Sequence, residues 1–152
     1  MRKVIFLVIL LSVLNVLNSC KKNKIELSPV VSLMTKQSWA IKSIRQNTNN
    51  NGWIDIFSSV PICQKDNKLF FWASDHSLNW DEGFTKCNIS DPQTFGYGTW
   101  TLSSDETKLS TNNGTGITVE ADISVLSDSN LITLNKYISG SDTILTETKY
   151  VH

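Results

Sequence analysis

Acid–base or metal chemistry needs clustered carboxylates and imidazoles, and the chain gathers Asp75, His76, Asp81, Glu82 and Asp91 within one short stretch. Their spacing specifies no catalytic geometry. There is no Gly-x-Ser-x-Gly elbow, no phosphate-cradling glycine loop and no His-Glu-x-x-His, and His76 has no second metal ligand at a recognisable spacing. A surface loop of solvated charge accounts for these residues, and Asp105-Glu106-Thr107-Lys108 reads as a hairpin turn. The expectation is a chain that is not an enzyme and needs no cofactor or metal.

The other reactive side chains are three cysteines, Cys20, Cys63 and Cys87. The first follows a basic start (Arg2, Lys3) and an apolar run from Val4 to Leu17 that Ser12 and Asn15 interrupt. Such a run is a secretory signal pattern, shorter than the ~20 apolar residues a membrane span needs. It ends in Leu17-Asn18-Ser19-Cys20, which resembles the bacterial lipobox, a Leu and two small or uncharged residues before a cysteine that receives diacylglycerol. The resemblance implies cleavage after residue 19, a lipid on Cys20 and attachment to a membrane through several acyl chains, which together hold durably where one does not. Residues 20–35 then read as anchor and tether, with Pro29 and no clear period. The flank Lys21-Lys22-Asn23-Lys24 lacks the acidic residues that such lipoproteins use for surface export. The implied location is the cell envelope, at the periplasmic face of the outer membrane.

With Cys20 assigned to lipid, Cys63 and Cys87 form an isolated pair in an oxidising compartment, and a disulfide is the natural reading. A metal site is the alternative, to which His76 and His152 bring no matching spacing. Over the full chain 14 basic residues balance 14 acidic ones. Loss of Arg2 and Lys3 with the leader leaves the rest mildly acidic, with no basic face to track phosphates, so nucleic acid is not an expected partner.

Residues 36–152 read as one all-β domain. Ile117 to Val125 alternates apolar and polar residues, the signature of a strand with one buried face. Leu131 to Ile138 and Ile144 to Val151 follow, separated by the turn formers Ser127 to Asn130 and Ser139 to Asp142. Upstream, Trp39 to Arg45, Lys68 to Ala73, Ser77 to Asp81, Gly98 to Leu102 and Lys108 to Thr111 are further strands, with Trp53 to Phe57 undecided. About eight short strands with tight connections predict a small antiparallel up-and-down barrel, whose closure removes exposed sheet edges. A β-sandwich is the alternative.

The order Ser38-Trp39-Ala40-Ile41-Lys42-Ser43-Ile44, then Cys63-Gln64-Lys65-Asp66-Asn67, then Cys87 ahead of Gly98-Thr99-Trp100-Thr101-Leu102, resembles the lipocalin-like domains in lipoproteins of Bacteroidetes. The resemblance covers roughly residues 36 to 151, although Gln37 stands where lipocalins proper carry glycine. It implies a small calyx-like barrel that takes a small apolar ligand. Among the five tryptophans, Trp39 and Trp100 read as core. Phe70, Trp72, Trp80 and Trp100 are the candidates for an apolar binding wall or for stacking against a glycan. A filled barrel that contacts partner proteins is the competing function.

Overall fold

The computed structural model describes residues 26–152. The signal segment 1–19, Cys20 and the basic flank Lys21-Lys22-Asn23-Lys24 lie outside the described residues.

The chain begins with helix α1 (Pro29–Thr35). Strands β1 (Trp39–Thr48), β2 (Ile54–Asp55), β3 (Lys68–Phe71), β4 (Ser77–Asp81) and β5 (Thr94–Leu102) follow, then β6 (Lys108–Asn112), β7 (Thr118–Leu126), β8 (Asn130–Ser139) and β9 (Asp142–Val151). Each neighbouring pair is antiparallel, and β1 pairs with both β3 and β9. Eight strands therefore close into an up-and-down barrel, with β2 as an extra strand on β1. This is the small lipocalin-like all-β barrel that the strand pattern predicts, and not a two-sheet sandwich.

Alternation assigns the faces. Cross-strand partners share a side of the sheet. Trp39 pairs with Leu69, Leu69 with Trp80, Leu78 with Gly98, Leu102 with Leu109 and Leu131 with Tyr150, and these all point inward. Bulges re-phase three strands: at Ile41/Ser43 in β1, at Trp80/Asp81 between β4 and β5, and at Ile123/Val125 in β7. The alternation from Ile117 to Val125 does not make a buried face: Ile117 and Val119 are exposed towards one end of the barrel, Ala121 and Ile123 are half-buried, and the last bulge turns Val125 outward. Past Ile123 the inward position passes to Leu126, which pairs with Leu131, while Val125 is exposed.

One end of the barrel is packed solid. Met34, Trp39, Phe71, Leu78, Trp100, Leu109 and Leu131 are buried there, with Val30, Val31 and Leu126 against them. The floor is completed by α1, in a stretch whose Pro29 suggests a tether. Pro29 instead occupies the first turn, where its missing N–H costs nothing, and the Ser28 side chain accepts from the Val31 N–H at 3.1 Å. Met34 is fully buried, and its carbonyl accepts from the Trp39 indole N–H at 2.9 Å. The folded part thus starts at Pro29 rather than near Lys36. Of the undecided stretch Trp53 to Phe57, only Ile54–Asp55 is strand. The β5 strand starts at Thr94, four residues before the expected Gly98.

Candidate functional site

The far end of the barrel is open. It is framed by the connection from β1 to β3, the loops from β4 to β5 and from β6 to β7, and the tight turn from β8 to β9. Below this mouth lies an interior cavity of about 280 Å³. A second hollow of about 270 Å³, bordered by Ile41, Ile44, Val60 and Gln64, shares Leu69, Trp80 and Tyr150 with it. It lies where β1 and β3 diverge after pairing only at Trp39 and Ala40, so that the segment with the 3₁₀ turns Phe57–Ser59 and Ile62–Gln64 covers the gap.

The cavity wall is chemically divided. Leu69, Trp80, Leu109, Val119 and Ala121 line one side, where the Thr111 hydroxyl, paired across from Val119, is the single polar side chain among them. Thr133, Asn135, Thr146 and Thr148 line the other, in two cross-strand pairs, Thr133 with Thr148 and Asn135 with Thr146. The Gln46 side-chain amide donates to the Thr146 hydroxyl at 3.3 Å, and that of Asn135 donates to the Glu120 carbonyl at 2.5 Å. Burial pushes the Tyr150 phenol above its ordinary pKa, against the opposing effect of hydrogen bonds with Thr133 and Thr148. Tyr150 is therefore a neutral phenol at physiological pH.

Trp80 owes its position to two glycines. It pairs with Gly96. A Cβ at Gly96 would lie 3.0 Å from Trp80 Cε3, and one at Gly98 would lie 3.0 Å from Trp80 Cη2 and 2.0 Å from the Asn112 carbonyl oxygen. The indole thus lies along bare β5 backbone, and space remains beside it.

Of the four candidate aromatics, the structure brings only Trp80 to the cavity. Trp100 is buried in the floor, edge-on to Phe71 with ring centroids 5.6 Å apart, and its indole N–H donates to the Trp72 carbonyl at 3.1 Å. Phe70 pairs with Asn79 on the outer face. Trp72 is 50% exposed and, with Phe70, borders a notch against residues 35–38 outside the barrel. Four large apolar side chains in a row hide which parity faces inward; pairing with Leu78 and Trp80 selects Phe71 and Leu69. The polar wall was missed, although Leu131-x-Thr133-x-Asn135 and Thr146-x-Thr148-x-Tyr150 carry it at strand spacing.

The cysteine pair is bridged, Cys63 to Cys87, with Cα atoms 5.0 Å apart, so two mouth loops are joined. Asp66 adds a clasp: its Oδ2 accepts from the Phe84 and Thr85 N–H groups, each at 2.9 Å. Desolvation raises the Asp66 pKa, but these donors outweigh it and hold the carboxyl below its ordinary range. The acidic cluster of the sequence is divided. Asp75 and His76 lie in the β3–β4 turn at the closed end, whereas Asp81, Glu82 and Asp91 are at the mouth. Asp75 accepts from the Ser77 N–H, and Asp81 from the Gly83 N–H and the Gln93 amide, so both shape loops.

No protein-family model matches the chain, and no characterised protein matches it in sequence. The functional reading therefore rests on the geometry.

Proposed function

We propose that this chain is a lipid-anchored protein of the bacterial envelope, related to the lipocalin-like lipoproteins of Bacteroidetes, and that its barrel binds a small, largely apolar ligand. The observation that carries the reading is the interior cavity: its ~280 Å³ is nearly twice the ~150 Å³ engineered cavity that takes up benzene, and it shares Leu69, Trp80 and Tyr150 with a second hollow of similar size. Apolar side chains exclude water on one wall, the bridged loops frame the entrance, and binding requires no catalytic step. Attachment is through Cys20, with the barrel on the periplasmic side of the outer membrane.

Two measurements test the two parts. Mass spectrometry of the mature protein should find residues 1–19 removed and a diacylglyceryl group on Cys20; an unmodified Cys20 refutes the anchor. An organic extract of the protein purified from its own envelope should hold a neutral small molecule that is missing from the Ala121→Trp chain, in which the cavity is filled. The same compound in equal amount from both chains would place it elsewhere.

A specific observation favours a second reading, contact with a partner protein at the mouth: Ile62, Phe84 and Ile89 are exposed there at 82%, 93% and 93%. Cross-linking that captures one envelope protein through these loops, and loses it when they are made polar, would support that role.

A further inference from the structure

The division of the cavity wall states what kind of molecule it accepts. In the ring of eight strands, β4 and β8 are separated by three strands in either direction, so Trp80 stands across the barrel from Thr133 and Asn135. One face of the Trp80 indole lies against β5 at Gly96 and Gly98, and the ring borders the cavity. A flat group stacks favourably on such a plate. Opposite it, the paired Thr133–Thr148 and Asn135–Thr146 rows offer hydroxyl and amide groups on neighbouring strands.

Among the described residues, none of the side chains lining this cavity carries a charge, Tyr150 being a neutral phenol. An ionised ligand would lose its water there without gaining a counter-ion. A sugar, with hydroxyls around its whole edge, would set several of them against Leu69, Leu109 and Val119, where the Thr111 hydroxyl is the one side-chain partner among the described residues. A plain alkyl chain would use none of the hydrogen-bonding capacity that the contacts with Tyr150, Gln46 and Glu120 leave on the threonine and asparagine rows.

On the reading that the interior is a ligand site, we propose that it accepts an uncharged planar molecule of one or two rings with a hydroxyl or carbonyl on a single edge. Its face lies on Trp80, its apolar rim meets Leu69, Leu109 and Val119, and its polar edge reaches the Thr133–Thr148 and Asn135–Thr146 rows.

Three probes share one ring system and differ only at that edge: 2-naphthol, naphthalene and 2-naphthoate. Equilibrium dialysis of the full chain in lipid nanodiscs at neutral pH measures each. Ala121→Trp and Ala121→Leu chains that still melt cooperatively serve as filled-cavity blanks for partition into lipid. The expected order puts 2-naphthol about five- to tenfold tighter than naphthalene, the worth of one satisfied hydrogen bond, with 2-naphthoate weakest. Joint Thr133→Val and Thr148→Val substitution should erase the preference for naphthol and leave naphthalene binding in place, while Trp80→Leu should weaken both. Equal binding of naphthalene and 2-naphthol, or tighter binding of 2-naphthoate, overturns the proposal but leaves an interior site standing. If none of the probes distinguishes the native chain from the filled ones, the interior site itself fails, and the proposal with it.

Discussion

At Gly98 an added methyl would meet backbone, the Asn112 carbonyl oxygen at 2.0 Å, whereas at Gly96 its nearest neighbours are all atoms of the Trp80 side chain. Backbone in a closed barrel yields less readily than a side chain. Gly98→Ala is therefore expected to cost more than Gly96→Ala, about 1–3 kcal/mol from overpacking, and thermal melting of the two variants compares them directly. Identical melting would show that β5 does not approach Asn112 as described. Asp66 carries a pH-dependent contribution whose sign follows from its lowered pKa. A carboxyl that ionises more readily folded than unfolded stabilises fully above its unfolded pKa, and loses that contribution as pH falls through the folded value. The Phe84 and Thr85 amides should accordingly be protected from hydrogen exchange at neutral pH and lose protection below the ordinary value of 3.8. Asp66→Ala should remove the protection at every pH; persistent protection in that variant would assign it to the disulfide alone.

Strand order was legible because turn formers and period-2 alternation coincide from residue 117 onward, and each of the eight expected strands forms. Bulges were not legible, because an extra residue in one strand is defined by its partner's register, and Lys42 or Ser124 carries no signature of its own. Helix α1 was missed because Pro29 reads equally as a breaker and as a first-turn residue; what decides is the burial of Met34, a tertiary fact. Met34→Ala should cost about 2–5 kcal/mol, read by denaturant unfolding, whereas a free tether would give no change. The Cys63–Cys87 pairing did follow from cysteine arithmetic, and its sequence separation of 24 sets the scale of its effect. Replacing both cysteines with alanine should lower stability by roughly 3.5 kcal/mol in the chain-entropy view, an upper figure. A double variant as stable as the parent would mean that the clasp at Asp66 holds the mouth loops unaided.

For the molecule as a whole, the important asymmetry is between its ends. The chain enters at the closed floor through α1, which packs against the core, and the cavity opens at the opposite end. An anchor at Cys20 would then hold the floor nearest the lipid and leave the mouth free to exchange ligand or meet a partner. The candidate site was only partly legible: aromatic content drew attention to Trp80 but equally to Phe70 and Trp72, which closure of the barrel places outside. Its polar half lies on threonines and an asparagine that look like ordinary strand residues until β8 and β9 are paired. The central claim, a cavity inside the barrel that takes up small apolar molecules, is tested most directly by nuclear Overhauser contacts between added benzene and methyl-labelled protein. The expected result is contacts to the methyl groups of Leu69, Leu109, Val119 and Leu131, and none to Ile62 or Ile89 on the exposed loops. Contacts confined to those surface methyls, or none at all, would contradict it.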